Sequence, residues 1–146
     1  VTRPAKMSLE DRVEATRIRK EWGNALFRDH RYQEALDKYE IAYSVIRPQI
    51  LTGNSEQQAV KPSNTEATQL KIDLCLNKAM CYKRLSRNQQ DCRDCITECS
   101  EALELRSSNV RALLRRGEAY LELGDLDHAH NDVKKGLELE PENVPL

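Results

Sequence analysis

Apolar residues recur at i, i+3, i+4 and i+7 in six stretches of the chain, near residues 8–29, 32–47, 67–86, 91–105, 109–122 and 125–139. That spacing is the period of a helix with one buried face, so six α-helices are expected. Their ends carry matching signals. Ser8 precedes an acidic first turn, Asn109 and Asp125 open the last two stretches, and Gly124 sits in the turn between them. Between the second and third stretches, Pro48 to Glu66 carries Gly, Asn, Ser, Thr and two prolines, which predicts a partly irregular insertion.

The stretches repeat in pairs. Gly23-Asn24-Ala25-Leu26-Phe27 is followed by Tyr32, Ala35-Leu36, Tyr39 and Ala42. Ala79-Met80-Cys81-Tyr82 is followed by Cys95-Ile96, Cys99 and Ala102-Leu103. Gly117-Glu118-Ala119-Tyr120 is followed by Gly124-Asp125-Leu126, Ala129, Val133, Gly136-Leu137 and Pro141. Small residues at such offsets let neighbouring helices approach closely, and the closing proline stops the second helix. The pattern resembles the tetratricopeptide repeat, an antiparallel helix pair of about 34 residues. The second copy needs four additional residues within Ser86–Asp91, which predicts a first helix one turn longer or a bulged turn.

The resemblance implies an all-α fold: three tandem helix-turn-helix repeats in a right-handed superhelix, an α-solenoid whose concave groove is lined by the first helix of each pair. The expected boundaries are an N-terminal tail 1–7 and one repeat domain 8–146. Within it, repeat one covers about 16–48, the insertion loop 48–66, repeat two about 67–105 and repeat three about 109–142.

Composition narrows the function. Charged residues make up 32% of the 146 with both signs mixed, and the net charge is −1, which excludes a nucleic-acid-binding arm or a polybasic membrane anchor as the main theme. Mean hydropathy is −0.73 and apolar runs are short, so no membrane insertion is expected. The start at Val1-Thr2-Arg3-Pro4 and the end at Pro145-Leu146 read as a soluble, cytoplasmic piece of something longer. Leu126, Val133 and Leu137 on the last helix are expected to pair with a further segment or a second molecule. The five cysteines, at 75, 81, 92, 95 and 99, are an odd, clustered set that reads as reduced thiols rather than a disulfide framework.

A repeat scaffold carries no catalytic machinery, so function rests on what the groove presents. Groove-facing positions of the first helices hold Lys20 and Asn24, then Asn77, then Arg111 and Arg115. Lys20 and Asn24 are four apart and share a helical face, as do Arg111 and Arg115. Three cations and two amides suit carboxylates, because ammonium and guanidinium donate charge-assisted hydrogen bonds and amides donate without adding charge. Here the chain resembles the tetratricopeptide co-chaperones that grip a chaperone's acidic tail. Their clamp reads Lys-x-x-x-Asn, then Asn, then Lys-x-x-x-Arg, and this chain matches four of five positions, with Arg111 in place of Lys. The stretches Leu76–Leu85 and Arg115–Leu139 look like the repeat domains of immunophilin-type co-chaperones. The Cys92–Cys99 helix is similar to that of a cytosolic co-chaperone associated with mitochondrial import.

What the resemblance implies is docking of the Glu-Glu-Val-Asp tail of heat-shock chaperones of the 90-kDa class, the 70-kDa class or both. Lys20, Asn24 and Asn77 would hold one carboxylate, with Arg111 and Arg115 closing from the other side. Phe27 and Arg84 are the candidates to touch residues upstream of the tail, and Glu118 would repel an acidic peptide if it pointed inward. Two other readings stand beside this one: a scaffold for an unrelated internal helix or loop, and the targeting module of a longer peptidyl-prolyl isomerase. No metal is expected, since Cys95 and Cys99 fall on core positions and no histidine stands at ligand spacing. His30, His128 and His130 lie at turns or on the last helix, and no catalytic residue or cofactor is expected.

Overall fold

A computed structural model of the chain describes residues 7–47 and 63–141, and among them it has six α-helices and no strand. In chain order these are α1 (Leu9–Arg28), α2 (Tyr32–Ile46), α3 (Ser63–Leu85), α4 (Gln89–Leu105), α5 (Val110–Leu123) and α6 (Leu126–Leu139). The chain divides into two compact units, Val1–Leu74 and Cys75–Leu146, so the division falls inside α3.

The first unit is built on the α1–α2 hairpin. Ser8 caps α1 by accepting from the Asp11 amide at 3.1 Å, and the Arg12 guanidinium donates to the Val45 carbonyl at 3.2 Å, tying the start of α1 to the end of α2. Val13 and Thr16 of α1 and Ala35, Leu36, Tyr39, Ala42 and Ile46 of α2 are buried. Gly23 is required by their closeness, because a Cβ there would stand 2.6 Å from the Tyr39 ring. From α3 this unit takes the buried residues Ala67, Leu70, Ile72 and Leu74 and an ion pair between Arg17 and Glu66.

The second unit packs α4 and α5 on the rest of α3, with α6 against α5. Ala79, Cys95, Cys99 and Ala119 form its small-residue core, with Tyr82 and Ile96 against them. Arg116 fastens three helices. Its guanidinium donates to both carboxylate oxygens of Asp132 on α6 at 2.7 Å and to the Ser100 hydroxyl on α4 at 3.1 Å. Asn88, Asn109 and Asp125 cap α4, α5 and α6 through the amides of Asp91, Ala112 and His128. In each described hairpin the turn uses a left-handed residue near the end of the first helix: His30 (φ 61°), Ser86 (φ 38°) and Gly124 (φ 81°).

Two boundaries differ from the sequence reading. α3 begins at Ser63, so residues 63–66, read as the end of the insertion, are helical; the Arg17 contact at Glu66 supports that polar first turn. α4 begins at Gln89 rather than 91, because Asn88 supplies the cap. α3 continues eight residues past Asn77 whereas α1 stops four past Asn24, so the additional residues lengthen the helix by about one turn. The rest of the insertion (48–62), the tail up to residue 6 and residues 142–146 lie outside the described residues. Among the described residues no helix is long and apolar enough to cross a membrane.

Candidate functional site

Lys20 and Asn24 stand one turn apart on α1. Tyr39, seated on Gly23, donates its phenol proton to Asn24 Oδ1 at 2.6 Å. Lys20 Nζ lies 3.1 Å from Asp73 Oδ2 of α3, a residue that sequence reasoning did not single out. Asp73 Oδ1 in turn accepts from Gln69 Nε2 at 2.9 Å. Phe27, one turn beyond Asn24, is half-buried and packs edge-on against Tyr32 with ring centroids 5.0 Å apart.

Asn77, Arg111 and Arg115 belong to the second unit. Arg115 donates to the Leu76 carbonyl at 3.2 Å, which seats its guanidinium beside the backbone of Asn77. Burial first, and the neighbouring Arg111 charge second, make Arg115 less basic than an ordinary arginine. It stays charged at neutral pH all the same. Arg111 is exposed. Among the described residues, neither Arg111 nor Arg115 has a carboxylate in ion-pair contact, whereas Lys78, Lys83, Arg87 and Arg116 are paired with Glu98, Glu118, Asp91 and Asp132. Glu118 therefore carries its own cation, Lys83, as its neighbour. Arg84, near the end of α3, is exposed. Arg115 also lines a small pocket with Tyr82, Lys83, Cys92, Cys95 and Glu118.

All five thiols are free. Burial pushes Cys81 up to about 12, and burial followed by the hydrogen bond to Glu122 pushes Cys92 up to about 11, so both are protonated at neutral pH. Cys75, Glu98 and Glu101 bring ligand-type atoms within 4.8 Å of one another. That set does not suit a cation: Lys78 Nζ stands 3.2 Å from Glu98, and burial together with the two glutamates keeps the Cys75 thiol protonated.

Among the described residues, six helices in short-looped pairs with small residues at the crossings have the tetratricopeptide-repeat fold. The family model described as "Tetratricopeptide repeat" matches residues 110–143, which hold α5 and α6. The chain is 36% identical over 138 residues to the peptidyl-prolyl cis-trans isomerase FKBP4 of Mus musculus, covering 94% of this chain and 28% of that protein. The C-terminal TPR-containing domain of a putative FK506-binding protein of Plasmodium falciparum superposes with a TM-score of 0.77 at 26% identity, over 94% of this chain and 85% of that one. The first TPR domain of Spaghetti (RPAP3), solved bound to the HSP90 peptide SRMEEVD, superposes with a TM-score of 0.66 at 28% identity, over 89% and 82%.

Proposed function

We propose that this domain docks the acidic C-terminal tail of heat-shock chaperones of the 90-kDa class, the 70-kDa class or both, in the cytoplasm. Lys20, Asn24, Asn77, Arg111 and Arg115 would act together as a two-carboxylate clamp, and Phe27 and Arg84 would touch residues upstream. The observation that carries this reading is the pair of arginines on one face of α5 with no carboxylate partner among the described residues. Two like charges one turn apart on α5, with no acid among the described residues to neutralise them, suit an anion brought by a partner. The similarity to a domain solved with SRMEEVD supplies the class of anion. A hydrogen bond to a charged group nets roughly 1.5–3 kcal/mol, and ordering a flexible tail offsets several kcal/mol. An affinity near micromolar, about −8 kcal/mol, follows.

The test is calorimetric titration with SRMEEVD as free acid and as C-terminal amide. The free acid should bind at least about tenfold more tightly, and raising the salt should weaken it, since the Debye length is roughly 8 Å at physiological ionic strength. Equal affinity for the two peptides points instead to a scaffold for an internal segment. A complementary reading concerns the whole protein. The chain spans 28% of the FKBP4 relative it matches, so the domain would target a longer peptidyl-prolyl isomerase to the chaperone.

A further inference from the structure

We infer that Asp73 is an internal competitor for the ligand's carboxylate, a specificity-determining residue that occupies Lys20 until a better-held anion displaces it. The inference rests on the docking reading above and adds to it a residue that works against binding.

Asp73 Oδ2 lies 3.1 Å from Lys20 Nζ, the geometry an incoming carboxylate would take. Its second oxygen is held by Gln69 Nε2 at 2.9 Å, one turn earlier on α3, so the carboxylate is oriented rather than loosely solvated. Asp73 also stands four residues before Asn77, and residues so spaced share one face of a helix. The acid is therefore on the face of α3 that carries a proposed clamp amide.

The pair is exchangeable. Side-chain exposure is 21% for Lys20 and 32% for Asp73, so both groups keep contact with water, and ion pairs in that setting are weak. A ligand carboxylate that only replaced Asp73 on Lys20 would trade one ion pair for another. It gains when it engages a second donor at once, which a carboxylate held by Lys20 alone does not. Asp73 thus sets a threshold that single, isolated carboxylates do not pass. Arg111 and Arg115, with no such acid among the described residues, carry no equivalent threshold there.

Asp73→Asn keeps the shape and removes the charge. Binding of SRMEEVD free acid, read by calorimetry, should tighten about three- to fivefold, the range of a partly exposed ion pair. In a Lys20→Ala background the same substitution should change affinity by less than about twofold, because the competition acts through Lys20. Asp73→Ser serves as a second variant, and thermal melts of both establish that they are folded. If the wild type binds the free acid in preference to the amide and both Asp73 variants bind it no better, the competitor role is wrong while the docking reading stands. The competitor role is equally wrong if the gain persists undiminished without Lys20. If the wild type does not prefer the free acid, the docking reading falls and this inference with it.

Discussion

Arg115 separates the energetics of the fold from those of the proposed clamp. Its guanidinium is half-buried, donates to the Leu76 carbonyl at 3.2 Å and has no carboxylate partner among the described residues. Arg115→Ala removes one hydrogen bond and the packing of the aliphatic stem. The Leu76 carbonyl lies inside α3 and keeps its helical partner, so no buried acceptor is orphaned. The loss should stay near 1 kcal/mol, a fall in Tm of about 2–4 °C for a domain of this size. Loss of the positive charge of Arg115, which already raises the cost of holding Arg111 beside it, tempers even that. Binding should suffer more. A charge-assisted hydrogen bond to the tail is worth roughly 1.5–3 kcal/mol, or about ten- to a hundredfold in Kd. Arg115→Lys keeps the charge but not the planar fork and should fall between the wild type and Arg115→Ala. Calorimetry with SRMEEVD free acid, paired with melts followed by circular dichroism, measures both quantities. A folded Arg115→Ala protein that binds within twofold of the wild type would refute the assignment of this residue to the clamp.

Much of the architecture was legible because it depends on spacing. The period of the apolar residues put the six described helices in place, and the four additional residues of the second copy anticipated either the longer α3 or a bulged turn; the helix is what lengthens. What escaped depends on contacts between residues remote in sequence. The polar opening of α3 reads as loop until Glu66 meets Arg17 of α1. Asp73 reads as one more solvated helix charge, since its partner Lys20 is 53 positions away; an acid one turn before the proposed clamp amide Asn77 was the available signal. The partnership of Tyr39 with Asn24 was hidden for the same reason, although Gly23 beside Asn24 hinted that something large packs there. Only one of the three left-handed turn residues, Gly124, is of a type that announces itself; His30 and Ser86 adopt that conformation because the hairpin demands it.

Two further outcomes follow from the packing of the first unit. Gly23→Ala places a methyl 2.6 Å from the Tyr39 ring, and overpacking of about 1–3 kcal/mol should outweigh the roughly 1 kcal/mol gained in helix propensity. Melts should show a lower Tm; a Tm at or above that of the wild type would mean that the ring can yield. Lys71 gives a dependence on pH. It is 3% exposed with no carboxylate partner among the described residues, and burial holds its ammonium down to about 8. An unfolded lysine titrates near 10.4. Between those values the unfolded chain therefore binds more protons, and stability rises with pH. From pH 7.5 to 9 the Lys71 contribution by itself is about 1 kcal/mol. Over the same interval the thiols act in the opposite direction, because Cys75, Cys81, Cys92 and Cys99 are all held up when folded and an unfolded thiol loses its proton at about 8.5. Urea unfolding of the wild type and of Lys71→Met across this window checks the assignment. Methionine fills a similar volume without a charge to bury, so the variant should be more stable at pH 7.5, and its advantage over the wild type should shrink by about 1 kcal/mol by pH 9. A difference between the two proteins that stays constant over that interval would mean that the Lys71 ammonium reaches water in the folded protein.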